Sequence, residues 1–176
     1  MNLMSELGCN KPVGPYGKAH PVIDTSEFSE RIVNIAAIGN GDALACYGEV
    51  GADIEAAIAA RGAQTVVAST TVGTGLGPVL PPWNDSRVDA VLWNANEVAH
   101  VDLAGMLAGL RCRLAIGGRL VMWRCADTCK AKAASSEPIQ QLFNANGFTS
   151  VIVGRLWWNA CNAVVATGVL GKRTKG

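Results

Sequence analysis

The chain of 176 residues is poor in most of the features that mark specialised classes. It has no run of eighteen apolar residues, which excludes a helix that spans a bilayer. It has no excess of one charge: 15 Lys and Arg against 14 Asp and Glu leave a formal +1. No basic stripe is therefore available to coat a nucleic-acid backbone. Aromatic residues make up 6% and charged residues 16%, while 49% are hydrophobic, a balance that excludes a disordered chain and fits a globular one. Histidine occurs at only two positions, His20 and His100. The cysteines, Cys9, Cys46, Cys112, Cys125, Cys129 and Cys161, follow no repeated spacing, so no disulfide framework is expected. Cys125 and Cys129 form a C-x-x-x-C pair, but two thiolates do not complete a four-ligand site and His100 is distant in sequence. No metal site and no catalytic residue is assigned. The N-terminus carries neither a basic leader with an apolar core nor a cleavage site, and the expectation is a soluble, cytoplasmic protein with no membrane contact.

What is present is concentrated between Val79 and Trp123. Val88 to Trp93 is a short apolar run bounded by Pro- and Asp-containing residues upstream and by Asn94 and Asn96 downstream, as a buried strand would be. Leu103, Met106, Leu107, Leu110 and Leu114 recur at helical spacing, with Arg111 and Arg113 near the end, where cations suit the helix dipole. Gly117 and Gly118 end that helix, and Arg119 to Trp123 reads as a second strand. Two strands joined through one helix lie parallel with a right-handed crossover.

These residues carry a resemblance. Leu80, Pro81, Trp83, Asp85, Ser86, Val88, Asp89 and Val91 stand in the order of the L-P-F-x-D-x-S-F-D-x-V loop of class I S-adenosylmethionine-dependent methyltransferases. Arg113, Leu114, Ile116, Gly117, Gly118, Arg119 and Leu120 are similar to that family's R-x-L-x-P-G-G-x-L, with Ile116 in place of the proline. The resemblance implies an α/β, Rossmann-like three-layer sandwich. Its mostly parallel sheet would have six or seven strands and be closed by a C-terminal antiparallel hairpin. Thr149 to Trp158 and Asn162 to Leu170 supply the hairpin, after a helix from Ser136 that Gly147 ends.

The length fits one domain, expected over residues 31–170 between a flexible segment, 1–30, rich in Gly and Pro, and a basic tail, 171–176. Within it, Arg31 to Ile38 reads as the first strand, followed by the turn Gly39, Asn40, Gly41 and by a helix over Ala43 to Tyr47 capped by Asp42. A second helix is expected over Asp53 to Arg61 with Asp53 as N-cap, and a second strand over Thr65 to Ser69.

In the resembled family the first strand ends near an acid and a G-x-G-x-G turn, and the second ends in a carboxylate that grips the cofactor's ribose. Here Ala37 replaces the first glycine, Ile35 or Asn34 stands at the acidic position, and Ala68, Ser69, Thr70 and Thr71 offer no carboxylate. Pro78 and Val79 occupy the place of the aspartate that receives the adenine amino group. The expectation is accordingly a non-catalytic methyltransferase-like scaffold or interaction domain that binds no cofactor. A second resemblance is to the N-terminal domain of the anamorsin family of cytosolic iron-sulfur assembly factors, through the G-G-x-L strand start and the late Thr167, Gly168 and Gly171 to Arg173. It implies a protein partner such as a diflavin reductase. The alternative is a small methyltransferase with S-adenosylmethionine over Gly39, Asn40 and Gly41 and beside Ser69, Leu80 and Asn94.

Overall fold

The computed structural model describes residues 24–69, 87–96, 103–126, 136–158 and 161–172. His20, residues 70–86 with Leu80 among them, His100 and Cys129 lie outside the described residues. The elements run α1 (Thr25–Ile35), β1 (Ala43–Tyr47), α2 (Ala52–Ala60), β2 (Gln64–Ser69), β3 (Val88–Asn94), α3 (Leu103–Arg111), β4 (Leu114–Ala126), α4 (Ser136–Ala145), β5 (Phe148–Trp158) and β6 (Cys161–Leu170). Among the described residues six strands form one sheet with the order β2-β1-β3-β4-β6-β5. β1 runs parallel to β2 and β3, and β3 parallel to β4, whereas β6 is antiparallel to both β4 and β5. This is the expected Rossmann-like sandwich closed by a C-terminal hairpin.

Alternation along the central strands divides the core in two. Leu44, Cys46, Leu92, Val121 and Trp123 face α1 and α2, where Phe28, Ile32, Ile54 and Ile58 pack on them. Tyr47, Val91, Trp93, Leu120 and Met122 face the other layer, built from Leu103, Met106 and Leu107 of α3 and Ile139 and Phe143 of α4. None of the described helices is long and apolar enough to cross a membrane.

The first half of the chain departs from the sequence expectation. Arg31 to Ile38 is no strand; most of it is the second half of α1. Phe28, Ile32 and Val33 are its buried residues at helical spacing, and Asp24 caps it by accepting from the Glu27 amide at 2.7 Å. Ala43 to Tyr47, expected as a helix, is the strand β1, buried along nearly all its length between β2 and β3. Small and apolar residues fit a strand covered on both faces, so burial outweighs their helical propensity. Helix α2 is capped at Gly51, not Asp53. Leu114 and the Gly117–Gly118 pair belong to β4, where the register with β3 jumps from Val88↔Leu114 to Ala90↔Arg119.

A candidate ligand cleft at the carboxyl ends of the parallel strands

The strand order places β2 on one side of β1 and β3 on the other, so successive connections leave β1 in opposite directions. In open α/β sheets such a reversal leaves a crevice at the carboxyl ends of the strands. Here a cleft of about 390 Å³ lies there, on the α1–α2 side of the sheet.

One wall is the turn leaving β1. Gly48 and Gly51 both have positive φ, 75° and 89°. A side chain at Gly48 would also place its Cβ 2.4 Å from the backbone oxygen of Asn94, so only glycine lets β1 and β3 exit this close together. Glu49 and Val50 between the glycines line the cleft. Gly51 is the N-cap of α2 and offers no side-chain acceptor, which leaves the first amide groups of the helix uncapped at the cleft beside Ala52, Asp53 and Ile54.

The opposite wall is knitted from the ends of β3 and β4. Asn94 Nδ2 donates to the Glu49 carbonyl at 2.6 Å, and Asn94 Oδ1 accepts from the Asn96 amide at 3.1 Å. Asn96 Oδ1 in turn accepts from the Cys125 amide at 2.6 Å. The two asparagines thus tie the exits of three strands together. Trp123 and Phe28 close the cleft from below, their rings edge to face with centroids 6.2 Å apart. Ser29, also lining it, donates through its hydroxyl to the Thr25 carbonyl at 2.8 Å. Of the described lining residues the ionisable ones are Glu49 and Asp53, both acidic and both exposed.

Cys46, one residue before the end of β1, is buried on the α1–α2 face. Burial pushes its thiol up to about 11, opposed by a hydrogen bond with Thr65 and reinforced by the charge of Glu55. It stands neutral where the resembled family has an acid.

The residues expected to bind a cofactor are not brought together. Gly39, Asn40 and Gly41 precede β1 instead of following it. Gly41 donates to the Gly62 carbonyl at 3.0 Å and Gly39 to Asp42 Oδ2 at 2.7 Å, at the amino-terminal end of the sheet. Five residues at about 3.3 Å each separate them from the cleft, roughly 16 Å. Ser69 ends β2 in register with Tyr47 and so lies at the cleft's end of the sheet. Asn94 lines the cleft, with both amide atoms engaged on backbone groups. Leu80 is outside the described residues. Sequence reasoning missed Phe28, Glu49 and Trp123. The signal for the first two was present, as an apolar segment followed by Gly48-x-x-Gly51 and a helical spacing upstream of it.

No protein-family model and no curated protein matches the chain. Solved structures do. A Burkholderia thailandensis 1,6-didemethyltoxoflavin-N1-methyltransferase with bound 1,6-didemethyltoxoflavin and S-adenosylhomocysteine superposes with a TM-score of 0.59 at 16% identity, over 84% of this chain and 78% of that one. A Haemonchus contortus phosphoethanolamine N-methyltransferase 2 gives 0.58 at 11% identity over 83% of this chain, which spans only 53% of the Haemonchus protein. A Thermotoga maritima S-adenosylmethionine-dependent O-methyltransferase gives 0.54 at 11% identity, over 89% and 69%. Likeness at these identities concerns the backbone, and what it establishes is that this chain has the class I methyltransferase-like fold.

Proposed function

We propose that the cleft between the ends of β1, β3 and β4 binds S-adenosylmethionine and that the chain is a small methyltransferase. The observation that carries this reading is the Gly48–Gly51 turn, which opens the cleft at the reversal point between β1 and β3. The residues present suit that cofactor in three respects. Phe28, Val50, Ile54 and Trp123 give an apolar wall for its methylene chain. The uncapped amides of α2 offer donors to a carboxylate. Glu49 and Asp53 put negative charge at the cleft that would favour a cationic sulfur, with no basic residue among the described lining. When bound, the cofactor supplies an electrophilic methyl group. The chain's own part is to hold it and to align an acceptor. Two of the three solved structures described above contain S-adenosylhomocysteine.

A cofactor-free scaffold that docks a protein partner is the second reading, favoured by the buried, neutral Cys46 near the end of β1. Titration calorimetry with S-adenosylmethionine and S-adenosylhomocysteine separates the two. The first reading expects saturable heats at micromolar ligand; silence at millimolar ligand leaves the scaffold.

A further inference from the structure

We infer that Glu49 selects a positively charged ligand in this cleft, standing in the turn as the counter-charge that β1 itself does not supply. The inference rests on the reading above and goes further, by assigning to one side chain the discrimination between cationic and neutral forms of an adenosyl ligand.

Three observations carry it. The backbone of Glu49 is clamped, because its carbonyl accepts from Asn94 at 2.6 Å and it sits between two glycines whose positive φ fixes the course of the turn. The root of the side chain is therefore fixed relative to the sheet. Its carboxylate, by contrast, makes no hydrogen bond or ion pair with any described residue, unlike Glu27 and Glu30, which are engaged by Arg31 and Arg61. Finally, the buried pair Phe28 and Trp123 floors the same cleft, so the cleft is apolar at its base and acidic where Glu49 and Asp53 stand. An amphipathic organic cation fits such a site, with its hydrocarbon toward the apolar base and its charge toward Glu49. A di- or triphosphate fits less well, since its several negative charges would meet Glu49 and Asp53 with only the amides at the start of α2 to offset them.

The experiment is calorimetry of the intact chain and of Glu49→Gln with S-adenosylmethionine, S-adenosylhomocysteine and adenosine diphosphate, alongside thermal melts of both proteins. The wild type is expected to bind the sulfonium form more tightly than the thioether and to ignore the diphosphate. Glu49→Gln, isosteric and on an exposed turn, is expected to melt as the wild type does. It should lose about 10-fold in affinity for S-adenosylmethionine, equivalent to about 1.4 kcal/mol, and much less for S-adenosylhomocysteine. Equal affinities in wild type and variant overturn the role of Glu49 while leaving the cofactor reading intact, as does an equal loss for both ligands. A wild type that binds neither adenosyl ligand overturns the cofactor reading and the inference with it.

Discussion

Asn94 and Glu49 are joined by a hydrogen bond of 2.6 Å from a side-chain amide to a main-chain carbonyl, across 45 residues of sequence. The bond holds the exit of β1 against the exit of β3, and the other end of the same amide holds the Asn96 backbone. Asn94→Ala removes both contacts and is expected to lower stability by about 1–2 kcal/mol in urea denaturation. Asn94→Asp keeps an acceptor for Asn96 but points a carboxylate at the Glu49 carbonyl. It is expected to recover nothing relative to alanine at pH 7. Parent-like stability of the aspartate variant would show that the bond to Glu49 contributes little.

The same crossing explains Gly48. Its φ of 75° costs an L-residue about 1–2 kcal/mol, and a Cβ there meets the Asn94 oxygen at 2.4 Å. Gly41 has a φ of 84° with nothing within 4 Å of the added atom. Gly48→Ala should therefore destabilise the protein well beyond Gly41→Ala, and the difference between the two denaturation midpoints measures the steric part alone. Similar losses would mean that β3 yields at no cost.

How much of this could be read from the sequence varied along the chain for physical reasons. From Val88 onward, strands and helices announce themselves, because Leu103, Met106, Leu107 and Leu110 keep helical spacing and the β5–β6 hairpin is rich in β-branched residues. In the first half, local and global signals conflict. Ile32, Val33 and Ile35 are β-branched yet belong to a helix whose face is set by Phe28 and Ile32 four residues apart. Ala43 to Tyr47 has no β-branched residue yet is an interior strand. Reading a strand over Arg31 to Ile38 and a helix over Ala43 to Tyr47 puts Gly39 to Gly41 after the first strand, whereas they precede β1. Asn94 was legible as a cleft residue; its engagement with Glu49 was not, since a contact over 45 residues leaves no trace in local pattern.

The end of α1 offers a change that should stabilise the protein. The Ala37 amide donates to the Asn34 carbonyl and the Ile38 amide to the Val33 carbonyl, the paired bonds of a helix terminus whose next residue is left-handed. That residue is Ala37, with a φ of 48°. Ala37→Gly relieves about 1–2 kcal/mol of backbone strain and gives back about 0.4–1 kcal/mol through the freer unfolded chain. A net gain of about 0.5–1 kcal/mol is expected in chemical denaturation. A loss would indicate that contacts of the Ala37 methyl outweigh the strain.

The stability of the protein should also fall in alkali through two buried groups, Cys46 and Tyr47. Burial raises Cys46 from 9.0 to about 11 in the folded chain, whereas the unfolded chain ionises near the ordinary value. Below pH 9 both states hold the proton and stability does not change. Between pH 9 and 11 the unfolded state alone releases it, so folding weakens by about 2–3 kcal/mol across that window and levels off above it. Tyr47 is raised from 10.0 as well, mainly by burial and against its hydrogen bond with Arg113, and adds a loss of the same sign. Comparison with Cys46→Ala separates the two, because the variant keeps the tyrosine and lacks the thiol. Its stability should decline less between pH 9 and 11, by about the amount assigned to Cys46. Parallel pH profiles for parent and variant would mean that the thiol ionises in the folded protein as readily as in the unfolded one, and that the interior beneath the cleft admits water.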